Sequence, residues 1–382
     1  MADRPFHSAP VEPGVPPSAA PLTPGLLNRL PAPVQKIVLL RASRIGDFIN
    51  AIPAFRSIRK ALPGADFRLI TLPMLRPIAD RVGIFTRVYD FPGYPGLAEQ
   101  FFSPARTTQF FQEMQAETFD LAIQMQGSGV YANPFTLMLG AKYTAGFIRP
   151  GDPPGRLDAA LPFPETHETE RNLALVSFLG LPAADANPDF PLWPADIDQA
   201  AAILRPLPRP WLGIHPSARD ATRRWPSERF AATMKALQSI YGGTVLLIGE
   251  GQDCAAAASA LQEANVAFQN LAGRTTLPIT AAILQKLAVF ITNDTGPAHM
   301  AYALNTPTVV LFGGGDPARN GPNHPGPFRV LAHPVACRPC ETGQCPIGFY
   351  CLQQITVEQV VQSAKEIIRL TPNSHTISES VQ

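Results

Sequence analysis

Three carboxylates, a run of arginines, one histidine and four clustered cysteines are the side chains of this 382-residue chain whose spacing could support chemistry. Asp47 follows Gly46 where an apolar run at 36–40 gives way to helical periodicity, with Ile49, Ile52, Phe55, Ile58 and Ala61 on one face of a helix expected over 48–62. A carboxylate at such a turn is either a helix cap or a base held where glycine lets another molecule approach the backbone. Asp294, Thr295, Gly296 and His299 occupy a second turn of the same kind. There, a buried-strand pattern at 289–292 runs into N-D-T-G-P, which opens a helix with Pro in its first turn. A second apolar run at 308–312 is closed by G-G-G-D. A helix N-terminus at the carboxyl edge of parallel strands offers N–H groups to an anion. The competing reading makes Asp294 or Thr295 a cap and His299 a satisfied, partly buried histidine. The loop at 217–226 carries Arg219, Arg223 and Arg224 just before a helix. Guanidinium charge beside a helix start suits a diphosphate, and a solvated basic loop is the alternative.

The elements that must position these groups follow from length and pattern. A chain of this size forms two domains, and both halves alternate strand and helix. The boundaries read as a Pro-rich disordered tail at 1–33, a first domain at 34–190, a second at 191–355, and a helix with a tail at 356–382. The first 33 residues hold nine prolines, too little apolar surface to offset ordering entropy; Leu26, Leu27 and Leu30 could at most dock as one turn. Residues 145–147 read as the last strand of the first domain. The segment 91–108 reads as a loop that could border an acceptor pocket, and 197–204 as a short helix inside the interdomain connection. The helix at 357–370 is expected to pack towards the first domain, and the residues after 371 to be disordered. His167 and Glu168 could face a cleft, but read rather as surface residues of a helix. A net charge of +1 argues against a nucleic-acid partner. No apolar run of membrane-spanning length occurs and the start lacks an export-signal pattern, so a cytoplasmic location is expected.

The strings L-L-R-A-S-R-I-G-D-F-I-N-A-I-P-A-F-R-S-I-R-K-A-L-P and N-D-T-G-P-A-H-M-A-Y-A-L-N-T-P-T-V-V-L-F-G resemble the opening and closing signatures of glycosyltransferase family 9, the ADP-heptose:lipopolysaccharide heptosyltransferases. Two more stretches resemble family motifs in the expected order: Arg223 ahead of R-W-P, and G-E-G-Q-D followed by L-A-G-R-T-T-L. The resemblance covers nearly all of 36–370. It implies an α/β fold of GT-B architecture, with two Rossmann-like domains facing across a cleft, acceptor on the first and nucleotide-sugar on the second. It implies Asp47 as catalytic base and Arg223 as the cation on the donor diphosphate. It places Ser43, Gly46, Thr222, Asp253, Asp294, Thr295, Gly296 and His299 in the donor site, with Glu250 competing with Asp253 for the ribose. The implied partners are ADP-heptose and a glycolipid or glycan acceptor, with peripheral contact at the inner membrane. No cofactor is required for transfer on this reading. Two departures bear on the acceptor: Gln124 stands where the family usually has Asp, and the basic residue expected near Val130 is missing.

Cys337, Cys340, Cys345 and Cys351 give C-x2-C-x4-C-x5-C, with Cys254 apart. In a reducing compartment four thiols so close suggest a structural zinc site, or an iron–sulfur ligand set, against reduced thiols or incidental disulfides in a surface loop. Function therefore reads as inverting transfer of a sugar, heptose on the resemblance, to a cell-surface glycan. An epimerase-like enzyme on the same architecture and a non-catalytic sugar-nucleotide-binding protein are the alternatives. A dehydrogenase is disfavoured because no G-x-G-x-x-G follows the first strand.

Overall fold

The computed structural model describes residues 24–371 apart from 98, 154, 184 and 341–344. The first lobe holds β1 (Lys36–Leu40), β2 (Asp66–Thr71), β3 (Arg87–Asp90), β4 (Leu121–Gln124), β5 (Tyr143–Ile148) and β6 (Ala159–Pro162). The second holds β7 (Trp211–His215), β8 (Thr244–Leu247), β9 (Phe268–Asn270), β10 (Val289–Asn293), β11 (Thr308–Phe312) and β12 (Phe328–Ala332). All pairings within both sheets are parallel. The strand orders are β3-β2-β1-β4-β5-β6 and β12-β11-β10-β7-β8-β9. Both are the doubly wound order, which reverses direction between its first and fourth strands and leaves a crevice there. In the first lobe that crevice lies between β1 and β4, and in the second between β7 and β10. Strands such as β1 and β10 are buried along almost their whole length, which is why they read as continuous apolar runs rather than alternating ones.

The helices of the first lobe are α1 (Ile45–Ala61), α2 (Arg76–Val82), α3 (Pro104–Ala116) and α4 (Ala132–Met138), followed by α5 (Glu168–Phe178) and α6 (Pro194–Leu204). The second lobe adds α7 (Ser227–Tyr241), α8 (Gly251–Glu263), α9 (Leu277–Leu284), α10 (Gly296–Ala303), α11 (Pro317–Asn320), α12 (Tyr350–Gln353) and α13 (Val357–Leu370). One apolar cluster runs from the first sheet through Phe48, Phe55 and Val176 to Leu284, Phe290 and Met300, so the lobes share a core. α1 packs on α5 and α10, and α6 on α9. A second cluster, including Trp225, Phe230 and Met234, fills the other face of the second sheet. Within the first lobe Arg81 of α2 makes a two-pronged contact with Asp196 of α6 at 2.7 and 2.5 Å, fixing the helix that packs on α9.

Several local expectations change. A sixth strand, β6, follows the supposed last one; its short A-A-L-P segment has too few residues to show a period. The stretch read as loop up to 108 becomes helical at Pro104, because Pro is well placed at a first helical turn. Helix α13 packs on α7 and β10–β12, within the second lobe, and not towards the first. Its strongly one-sided apolar face is satisfied by the nearest sheet. Leu26 of the Leu26–Asn28 turn is buried, and the main chain there hydrogen-bonds to Phe178 and Leu179 at 2.7 and 3.1 Å. Residues 24–33 therefore carry a docked turn, whereas the rest of the expected N-terminal tail and the segment after 371 lie outside the described residues. No helix among the described residues is long and apolar enough to cross a membrane.

Candidate active site

The first turn of α1 begins earlier than periodicity indicates. Arg44 is its N-cap in extended conformation, and no side chain caps the helix. Asp47 therefore sits inside the first turn, not at the cap. The same holds in the other lobe: Thr295 is the N-cap of α10, no side-chain cap bond is made, and Asp294 precedes the cap. The cap reading thus fails for Asp294, while Asp47 keeps a first-turn acid's hydrogen bond from the Arg44 main chain.

Two glycines bring these helix starts together. A Cβ on Gly46 would lie 2.4 Å from Cδ2 of His299, and one on Gly296 would lie 3.0 Å from Cβ of Ile45. Asn50 of α1 completes the crossing, its Nδ2 lying 3.3 Å from His299 Nδ1. A cleft of about 640 Å³ opens beside this crossing, lined by Gly46 and Asp47 from one lobe and by Arg223, Asp294, Thr295, Gly296 and His299 from the other. Ser43, Thr222 and Asp253 do not line it. Ser43 is buried behind the turn, without a hydrogen-bond partner for its hydroxyl among the described residues. Thr222 uses its main-chain carbonyl to accept from Gly314 at 2.9 Å. Asp253 accepts from the Ala218 N–H at 3.3 Å and pairs with Arg224 at 3.1 Å, so it shapes the basic loop.

The electrostatics of the cleft are uneven. Burial pushes Asp294, 1% exposed, up to about 6; Arg223 opposes the shift and Asp47 adds to it. The Arg223 guanidinium lies 3.0 Å from Asp294 Oδ2 as an ion pair, but no N–H is aligned on that oxygen. Instead Nη1 donates to the Asp294 carbonyl at 3.3 Å. Asp47 is also held above its ordinary value, chiefly by burial, with Arg41 pulling it down and Glu168 pushing it up. Burial lowers His299 and His215 to about 4, so both are neutral near pH 7.

Several cleft residues escaped the sequence reading. His215 ends β7, and its Nδ1 lies 3.2 Å from the Thr295 hydroxyl. A polar residue at the carboxyl end of a strand beside the crevice was the available signal. Glu99, from the loop before α3, stands 3.6 Å from Arg44 and 3.5 Å from Arg219 of the other lobe, so that loop does border the cleft. Two residues read as surface are not: His167 is buried, its Nε2 bonding the Gly321 carbonyl at 2.9 Å, and Glu168 is half-buried, its side chain 13% exposed and paired with Arg41 at 2.6 Å.

Of the departures, Gln124 is fully buried. Its Nε2 donates to Asn133 Oδ1 at 2.9 Å and its Oε1 accepts from the Gln126 N–H at 2.6 Å. A carboxylate could not make the first bond, so the amide matches its own surroundings. Val130 is exposed beside exposed Tyr131. The cysteine expectation finds no site. Among the described residues no group of three or more His, Cys, Asp or Glu could hold a metal. Cys351 is buried in the second core while Cys337 is exposed. Cys345 accepts the Phe349 N–H at 3.0 Å, and Cys340 packs where a side chain on Gly314 would stand.

Two doubly wound sheets meeting across a cleft, with a crevice of each at that cleft, are the GT-B architecture. Residues 107–350 match the family model described as glycosyltransferase family 9 (heptosyltransferase), and the chain belongs to that family. It is 28% identical over 170 residues to lipooligosaccharide heptosyltransferase 2 of Campylobacter jejuni, covering 43% of this chain and 52% of that one. It is 24% identical over 283 residues to lipopolysaccharide heptosyltransferase 3 of Escherichia coli, covering 71% and 80%. The match thus spans about half the length of the Campylobacter relative. Among solved structures, a glycosyl transferase family 9 protein from Veillonella parvula superposes with a TM-score of 0.75 at 18% identity, over 88% of this chain and 98% of that one. The E. coli ADP-heptose lps heptosyltransferase II gives 0.70 at 21%, over 88% and 99%.

Proposed function

We propose that this protein transfers a heptosyl group from ADP-heptose to a lipopolysaccharide- or lipooligosaccharide-core acceptor, with inversion at the anomeric carbon. The observation that carries the reading is the placement of Asp47, from one lobe, on the same cleft as Arg223, Asp294 and the uncapped start of α10 from the other. The relatives named for heptosyl transfer supply the donor class.

In the proposed step the acceptor hydroxyl gives its proton to Asp47 as its oxygen bonds the anomeric carbon. The bond from that carbon to the diphosphate oxygen breaks, and ADP leaves with the electron pair. A positioned base contributes about 10²–10⁴-fold, and elevation above the ordinary carboxylate range brings Asp47 nearer the working pH. Arg223 and the N–H dipoles at the start of α10 oppose the charge that develops on the diphosphate. Asp294, deeper in the cleft and paired with Arg223, accepts hydrogen bonds from the donor's sugar hydroxyls. Neutral His299 keeps α10 seated against Asn50 without adding charge.

The test is turnover with ADP-heptose and a truncated core acceptor, using GDP-, UDP- and TDP-sugars as competitors, in wild type and Asp47→Asn. A disaccharide-linked product with inverted configuration is expected from the wild type. D47N should bind ADP with wild-type affinity and form no product. Free sugar released without acceptor, or undiminished turnover by D47N, overturns the reading.

A further inference from the structure

Glu168 and Arg41 are separated by 127 positions, yet they form a buried charge cluster directly behind Asp47. The Arg41 side chain is 2% exposed and one guanidinium serves three acceptors. Its Nη2 donates to Glu168 Oε1 at 2.6 Å and to the Asp47 carbonyl at 2.7 Å. Its Nη1 donates to the Met125 carbonyl just past β4. The second oxygen of Glu168 pairs with Arg171. Arg171 is anchored in turn to the Pro164 and Thr166 carbonyls at 2.8 and 2.9 Å, with its guanidinium 4.0 Å over the Phe163 ring.

We propose that Glu168 is a positioning residue for Asp47: by engaging Arg41 it keeps that guanidinium on the backbone of the α1 turn and off the Asp47 carboxylate, leaving the carboxylate free to take a proton. The inference rests on the reading of Asp47 as base. Charge bookkeeping supports it. Two guanidinium groups and two carboxylates make a neutral cluster when Asp47 is ionised. Without Glu168 the cluster holds excess positive charge, and the nearest anion for Arg41 is Asp47. A buried arginine left without its carboxylate seeks another partner, because desolvated charge is costly unless paired. That partner would be the base, now a weaker one.

The cluster is also fastened to the opposite lobe. His167, next to Glu168, caps α5 by accepting the Thr169 N–H at 3.2 Å on Nδ1. Its Nε2–H donates to the Gly321 carbonyl just beyond α11 at 2.9 Å. The first turn of α5 thus touches the lobe that carries Arg223 and Asp294 while gripping the turn that carries Asp47. The charged groups facing Asp47 are Arg41 and Arg44 from its own turn and Glu168 from α5. Asp294, from the β10–α10 turn, faces it across the cleft, and Arg223 and His299 line the same space.

The test compares pH profiles of kcat/KM for wild type, Glu168→Gln and Arg41→Lys, with ADP affinity measured by calorimetry over the same pH range. E168Q preserves shape and removes one negative charge. It should move the acid limb down by about one pH unit and lower the plateau several-fold, because a weaker base transfers protons more slowly. Its ADP affinity should follow the wild-type pH dependence, which reports the second lobe and the integrity of the fold. R41K keeps the charge, but its compact ammonium cannot span three acceptors; about a tenfold fall in kcat is expected, again with ADP affinity retained. An E168Q protein that binds ADP normally and keeps the wild-type acid limb overturns the inference. So does an R41K enzyme with wild-type kcat, which remains decisive should E168Q fail to fold. D47N separates the two levels: its turnover would remove the base reading and this inference together. An inactive D47N beside an unshifted E168Q removes the positioning role alone.

Discussion

Replacing Arg223 with alanine probes the cation proposed to hold the donor diphosphate. In the resting protein its guanidinium stands 3.0 Å from Asp294 Oδ2, with 30% of the Arg223 side chain exposed and Asp294 almost fully buried. A hydrogen bond to a charged group contributes about 1.5–3 kcal/mol, so loss of one contact to phosphate weakens ADP binding by about 10- to 150-fold. A second effect opposes the first. Arg223 favours the ionised form of Asp294; without it the carboxyl rises above about 6 and holds its proton near neutrality, no longer repelling the diphosphate. The net loss should therefore sit near the lower end, about tenfold, at pH 6.5. It should grow towards pH 8.5 as Asp294 ionises in the variant. Calorimetric titration of ADP into wild type and R223A at both pH values reads this directly. Affinity within twofold of wild type at both would refute a diphosphate role for Arg223, and a penalty that shrinks with rising pH would refute the coupling to Asp294.

Asp294→Asn bears on stability. Asp294 is raised from 3.8 to about 6 in the folded state, so its contribution is complete below about pH 3.8 and is lost as pH rises through about 6. Ionised, it costs up to about 3 kcal/mol, and D294N should melt higher than wild type at pH 8 with a smaller difference at pH 5, read by differential scanning fluorimetry. Gly46→Ala puts a methyl 2.4 Å from the His299 ring; a cost of about 1–3 kcal/mol and a drop in kcat are expected as α1 and α10 part, and an unchanged Tm would contradict the close crossing. Arg81→Ala strands Asp196, whose side chain is 6% exposed, at a cost of about 3–5 kcal/mol in denaturant unfolding. A loss below 1 kcal/mol would show that the α2–α6 pair does not hold α6 in place.

The strands and the two chemistry-bearing turns could be read along the chain because their signals are local. A buried parallel strand is a short apolar run, and Gly-Asp or Asn-Asp-Thr-Gly-Pro directly after one places polar groups at its carboxyl edge whatever surrounds it. Those signals marked the turns; the expectation of two Rossmann-like domains with Asp47, Arg223, Asp294, Thr295, Gly296 and His299 on one cleft came from the family resemblance. Local signals were not enough for β6, whose four residues carry no period, nor for the seat of α13, since an amphipathic helix does not state which sheet covers it. Partnerships between distant side chains were out of reach altogether. Asn50 meets His299 across 249 positions, and Arg41 meets Glu168 only because α5 folds back over α1. A Glu at a helix start looks the same whether solvent or a guanidinium faces it. Burial and charge balance around the proposed base are therefore properties of how the helices pack, and they appear only once both lobes are in place.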